Sequence, residues 1–165
     1  MVNKEAFFKE IFQKNSKKIY HLCYGYTGDS DSANDLMQET FMKVWQNLDK
    51  FRNKALISTW IYRIAVNTCL SYLRVEKRQA KDELTPNIIE NKEEELSSKN
   101  EEAALLYRCI SKLEENERFI ITMVLDELPY AEIAEVSGIS EGNLRVKIHR
   151  IKQKLTDIYN RYERF

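Results

Sequence analysis

The sequence predicts an all-α chain made of two small helical domains joined by a flexible linker. Three observations carry that expectation. Only four glycines and two prolines occur in 165 residues, and Leu, Ile, Glu and Lys, which favour helices, are abundant. Apolar residues recur every three to four positions in several separate runs. Residues 76–100, "EKRQAKDELTPNIIENKEEELSSKN", lose that period, are dominated by Glu and Lys, and carry Pro86. The expected layout is therefore a domain over 1–75, an acidic linker over 76–100 and a second domain over 101–165.

A first helix is predicted over 5–24, where Phe8, Ile11, Phe12, Ile19, Leu22 and Cys23 form a broad apolar stripe. "GYTGDSDS" breaks it, and Ser30, Asp31 or Ser32 can cap the next helix. That second helix, 32–48, buries Met37, Phe41, Val44 and Leu48. A second line runs through Asp35, Gln38, Met42 and Trp45. Two explanations fit it: Trp45 wraps the edge of the core, or the line is a partner-binding face, where exposed Trp and Met are favoured.

The basic loop "DKFRNKALIS" follows, and Ser58 or Thr59 can cap a third helix, "TWIYRIAVNTCLSYLR". Ile61, Ile64, Ala65, Thr68, Cys69 and Tyr72 are expected inward. Trp60, Arg63, Asn67 and Arg74 recur on another side. A ring, an amide and guanidiniums on one face can stack a base and hold phosphates. The same residues can also be an ordinary solvated face.

After the linker, Ala104, Leu105, Tyr107, Ile110 and Leu113 mark a helix over 101–114. Phe119, Ile120, Met123 and Val124 mark another from Glu115 to Leu125, which "DELP" ends because the residue before Pro129 avoids the helical region. "YAEIAEVSGISEGNLRVKIHRIKQKL" completes the pattern. A short helix through Ile133 and Ala134 stops at Gly138, which can take the left-handed conformation. Ile139 fills the corner, Ser140 caps, and Glu141 suits the helix dipole. Leu144, Ile148, Ile151 and Leu155 then bury one stripe of a longer helix. Its other side carries Asn143, Arg145, Val146, His149, Arg150 and Lys152. This is a helix-turn-helix whose second helix fits the DNA major groove.

Net charge is zero, with 26 basic and 26 acidic side chains. Its distribution is uneven: residues 1–80 carry 13 bases and 8 acids, residues 81–120 carry 6 and 11, and residues 141–154 carry five and one. A partner meets the local field, so neutrality does not exclude nucleic acid. Cys23, Cys69 and Cys109 lie far apart in helical patterns, which argues for buried reduced thiols rather than a disulfide frame. His21 and His149 stand alone, without metal-ligand spacing. The absence of a signal-type h-region and of a spanning apolar run predicts a cytoplasmic protein with no membrane insertion. No phosphate loop, metal cluster or nucleophile–base pairing marks an enzyme, and no cofactor is expected.

Three segments, "DSANDLMQETFMKVWQNLDKFR", "STWIYRIAVNTCLSYLR" and "LPYAEIAEVSGISEGNLRVKIHRIKQKL", resemble the bacterial RNA polymerase sigma factors of the extracytoplasmic-function type, which consist of regions two and four around a variable linker. The resemblance covers nearly the whole chain. It implies a factor that binds core RNA polymerase and directs promoter-specific initiation, reading the minus-thirty-five element as duplex and the minus-ten element as an opened strand. It implies polymerase docking by Asp35, Gln38, Glu39, Phe41 and Trp45, on the clamp helices of the largest subunit. It implies minus-ten contacts by Phe51, Arg52, Asn53, Trp60, Arg63 and Asn67, with a non-template base flipped into the Phe51–Ser58 loop. It implies minus-thirty-five contacts by Ser140, Asn143, Arg145, Val146, His149 and Arg150, and an anti-sigma protein among the partners. Val146 and Asn143 depart from the small polar residue and the Thr often found there, so the promoter sequence does not transfer. Two other classes stay in view. One is a stand-alone helix-turn-helix regulator independent of core polymerase; the other is an interaction protein using the same helices without reading promoters.

Overall fold

The computed structural model describes residues 3–82 and 101–163. Among them are seven α-helices: α1 (Lys4–Thr27), α2 (Ser30–Asn47), α3 (Ile57–Asp82), α4 (Glu101–Ile110), α5 (Glu115–Leu125), α6 (Tyr130–Ser137) and α7 (Glu141–Glu163). A single 3-10 turn, Leu48–Lys50, follows α2. The all-α expectation holds, and α3 runs on through 76–82, where the linker was expected to have begun. The remainder of that expected linker, 83–100, lies outside the described residues.

Helices α1, α2 and α3 form the first bundle. Ile11, Ile19, Leu22 and Cys23 of α1 meet Ala33, Leu36, Phe41 and Val44 of α2 and Ile61, Ala65 and Cys69 of α3, all buried. Burying each of the Ile, Leu, Val and Phe side chains among them contributes roughly 1.5–3 kcal/mol. The three thiols are buried and free. Cys69 Sγ donates to Cys23 Sγ at 3.7 Å, and that bond together with burial pushes the Cys69 thiol well above its ordinary range.

Capping of α2 falls one residue earlier than expected. Asp29 is extended (φ −129°, ψ 126°), so its carboxylate reaches back over the first turn and accepts from Ser32 N at 3.0 Å and Ser32 Oγ at 2.6 Å. Ser30, Asp31 and Ser32 are already helical. Asp29→Ala should cost about 1 kcal/mol of stability. Urea unfolding followed by circular dichroism checks this: the midpoint should fall with the slope unchanged.

Helices α4 to α7 form the second bundle around Ile110, Leu113, Phe119, Ile120, Met123, Leu128, Ile133, Leu144, Ile148 and Ile151. Gly138 adopts φ 71° and its N–H closes α6 on the Ala134 carbonyl, as the helix-turn-helix pattern requires. Ser140 Oγ accepts from Asn143 N at 3.3 Å, so it caps α7.

The bundles pack against each other. Along α5, Phe119, Ile120, Ile121, Thr122 and Met123 are buried consecutively. Five adjacent residues cover every side of a helix with 3.6 residues per turn. One side of α5 faces α6 and α7, and another faces α1. Tyr26 of α1 stacks on Phe119 with ring centroids 4.3 Å apart and planes 12° apart. Arg118 Nη1 donates to the Tyr26 carbonyl at 3.0 Å. Tyr24 meets Tyr107 edge-on at 4.8 Å. Lys77 Nζ and Glu115 Oε1 pair at 2.6 Å. That bond from Lys77 holds the Glu115 carboxyl below its ordinary value. Tyr62 was not assigned to the interior by its spacing, yet it is 1% exposed, because α6 covers α3. His21 Nδ1 lies 2.9 Å from Asp126 Oδ1 across this boundary.

Candidate nucleic-acid and polymerase interface

One candidate face belongs to α7. Leu144, Ile148 and Ile151 anchor one side of the helix and are at most 3% exposed. The 3.6-residue period then turns Asn143, Arg145, Val146, His149 and Arg150 outward, and all five are exposed. Val146 is 52% exposed, an apolar group in a basic row. Ser140 is also exposed, but its hydroxyl serves the cap described above. Arg145 is held from two sides. Its Nη2 lies 3.2 Å from Glu141 Oε1 one turn earlier, and its guanidinium lies 5.1 Å from the ring centre of Tyr130 in α6. A tethered guanidinium loses less freedom when it meets a base edge.

A second candidate face combines the loop after α2 with α3. Phe51 and Trp60 contact each other, centroids 5.2 Å apart and planes tilted by 39°, and both are half-buried. Arg52, Asn53 and Lys54 are exposed beside them. Asn53 sits at φ 55°, a left-handed conformation that asparagine tolerates better than most residues. Trp60, Arg63 and Asn67 follow at i, i+3 and i+7, so they share one side of α3. Arg63 is not idle: its Nε and Nη2 donate to the Glu135 carbonyl of α6 at 3.3 and 3.1 Å.

The third candidate face is on α2. Asp35, Gln38 and Glu39 are exposed, and Glu39 pairs with Lys43 at 3.1 Å. Trp45 is 38% exposed and lies edge-on to Phe8 at 5.2 Å, with Lys4 Nζ 4.6 Å from its ring centre. It thus both wraps the core edge and shows a face to solvent. Phe41, placed in the buried stripe by its spacing and in the docking segment by the resemblance, follows the spacing. Its ring is 2% exposed and meets Phe12 at 4.8 Å and Phe8 at 6.3 Å, so it lies beneath the surface rather than on it. Phe8 and Phe12 of α1 belong to this aromatic patch, and Met42, 58% exposed, stands near it on α2. The sequence held a signal for them. The α1 stripe containing both Phe8 and Phe12 is broader than one buried face needs.

Among the described residues, no group of three or more His, Cys, Asp or Glu side chains could hold a metal ion. Nor is any helix there long and apolar enough to cross a membrane.

Comparison with known proteins places these faces in a family. Residues 11–79 match the model of sigma-70 region 2, and residues 103–155 match that of sigma-70 region 4. The ECF RNA polymerase sigma factor SigM of Bacillus subtilis is 29% identical over 92% of this chain and 94% of its own length. The ECF RNA polymerase sigma-E factor of Escherichia coli K12 is 31% identical over 90% of this chain and 84% of its own. The solved structure of the sigma factor RpoE of Bartonella quintana, in complex with the anti-sigma factor NepR, superposes with a TM-score of 0.74 at 19% identity, covering 93% of this chain and 96% of that one. These matches span both helical bundles and the regions that carry all three faces; the chain belongs to the extracytoplasmic-function sigma factors of the sigma-70 family.

Proposed function

We propose that this sigma factor directs initiation with two DNA readers and one polymerase-docking face, distributed as follows. Asn143, Arg145, Val146, His149 and Arg150 on α7 meet the minus-thirty-five duplex in the major groove, and the Ser140 cap sets the entry of that helix. Arg145 suits a bidentate bond to guanine, and Val146 suits an apolar contact such as a thymine methyl. Phe51, Arg52, Asn53, Trp60, Arg63 and Asn67 hold the opened minus-ten strand. An unstacked base offers both its face and its edge to such a pocket. Asp35, Gln38, Glu39 and Trp45, backed by Phe41 and flanked by Phe8, dock on the clamp helices of core polymerase. The protein acts by binding rather than by covalent catalysis: energy from holding the single strand offsets unpairing. Its place of action is the cytoplasm, and an anti-sigma protein is the expected antagonist.

The observation that supports this assignment best is the exposed basic face of α7 opposite a fully buried apolar stripe. The test is transcription by purified protein with core polymerase on genomic fragments, followed by mapping of start sites. Defined starts with shared upstream elements are expected. Tight binding to a specific duplex without polymerase, together with no initiation, would instead establish a stand-alone regulator. Within this scheme Trp60→Ala should weaken binding to a fork-junction minus-ten template by about 1–3 kcal/mol, the range for one base–aromatic stack. Binding to an isolated minus-thirty-five duplex should not change. Fluorescence anisotropy on the two templates separates these outcomes.

A further inference from the structure

We propose that Lys4 is a positioning residue for Trp45: its ammonium, anchored on Asp49, holds the indole in the attitude that core polymerase meets. The proposal rests on the docking role given above to Trp45, and it adds the two residues that aim the ring.

Lys4 is the first residue of α1, and Asn3 fixes that start. The Asn3 side chain accepts from Glu5 N at 3.0 Å, and its carbonyl accepts from Phe7 N at 3.0 Å. A cation in the first turn opposes the helix dipole, which favours anions there. Lys4 therefore does not serve α1 as a helix. Its ion pair is not a strong support either. Lys4 Nζ lies 2.7 Å from Asp49 Oδ2, but the two side chains are 34% and 73% exposed. Pairs so exposed add little to stability, because both side chains must be ordered and salt screens their attraction.

What the pair does is fix a direction. Asp49 stands in the 3-10 turn that follows α2, four residues after Trp45. Anchored there, Lys4 Nζ lies 4.6 Å from the centre of the Trp45 ring, within the reach of a cation–π contact. Phe8 meets the same ring with centroids 5.2 Å apart and planes at 80°. Lys4 and Phe8 are four residues apart, so one side of α1 supplies both contacts. The indole is still 38% exposed. A free indole would lose rotamer freedom when a partner covers it, whereas one held beforehand loses less. Lys4 thus strengthens docking through the ring, without touching polymerase itself.

The experiment uses the full chain with Lys4→Met, which keeps the stem and removes the charge, Lys4→Arg, Asp49→Asn, the Lys4→Met and Asp49→Asn pair, and Trp45→Ala as control. Circular dichroism checks the fold of each. Equilibrium binding to core polymerase gives the affinity. Time-resolved fluorescence anisotropy of the free chain gives the motion of the ring, in a Trp60→Phe background that leaves Trp45 as the one tryptophan. Lys4→Met should loosen the ring and weaken binding about two- to tenfold, the span for ordering one side chain at an interface. Lys4→Arg should restore both readings. Asp49→Asn should act in the same direction as Lys4→Met, and the pair should be no weaker than Lys4→Met alone, because the two act as a unit. Weaker binding with unchanged ring motion overturns the positioning role and makes Lys4 a direct contact. A looser ring with unchanged affinity, where Trp45→Ala does weaken binding, overturns it as well. Wild-type readings in Asp49→Asn overturn the anchor. Wild-type affinity in Trp45→Ala overturns the docking reading itself, and the role of Lys4 in docking falls with it.

Discussion

Replacing Arg145 and His149 together with alanine is expected to weaken binding of the polymerase holoenzyme to a minus-thirty-five duplex by about 2–4 kcal/mol, since one well-placed base contact is worth about 1–3. Both side chains are exposed on the face of α7 opposite Leu144, Ile148 and Ile151. The fold should hardly notice their loss, because exposed positions away from special features usually shift stability by less than about 0.5 kcal/mol. Arg145 carries the larger share. Its contacts to Glu141 and Tyr130 aim it before DNA arrives. Affinity for core polymerase alone should remain near wild type. The measurement is paired: equilibrium binding to core polymerase, and start-site mapping on promoters the wild type uses. A double variant that kept its promoter preference would remove α7 from the reading scheme.

The complementary change, Gln38 and Trp45 to alanine, should lower affinity for core polymerase by about 2 kcal/mol or more, because exposed tryptophans at the centre of an interface commonly dominate its energy. Here the fold must be watched. The Trp45 ring packs edge-on against Phe8 and lies near Lys4, so truncation exposes part of the aromatic patch as well as removing a contact. Circular dichroism and thermal melting separate the two effects. Trp45→Phe, which keeps a ring against Phe8, should recover the melting temperature more fully than the affinity. Unchanged affinity of a folded double variant in a pull-down would remove α2 from the docking face.

How much of this was legible beforehand differs between elements for physical reasons. The helix-turn-helix was legible because its determinants are local: a glycine at φ 71°, a serine one residue before α7, and an apolar stripe at helical spacing. The outward row from Asn143 to Arg150 follows from that stripe by geometry alone. The α2 cap was misplaced by one residue because several adjacent polar residues could all cap. Only the extended backbone of Asp29 chooses among them. Phe41 was expected on the buried stripe of α2 from its spacing and in the docking segment from the resemblance; it is buried, with Phe8 and Phe12 of α1 against its ring.

Local chemistry in the sequence determined seven helices' worth of pattern, the order of the bundles, the basic face of α7 and the aromatic–guanidinium stripe of α3. Each depends on periodicity, caps and charge within a single element. Tertiary structure decided what covers those elements. Five consecutive buried residues on α5, the burial of Tyr62, the pairing of His21 with Asp126 and the engagement of Arg63 by Glu135 all arise between different helices, the last two across 105 and 72 residues of chain. Sequence periodicity records how many faces of a helix are apolar. It does not record which distant helix will occupy them, because that choice is made by shape, as at Gly25, where α1 admits Thr122 of α5.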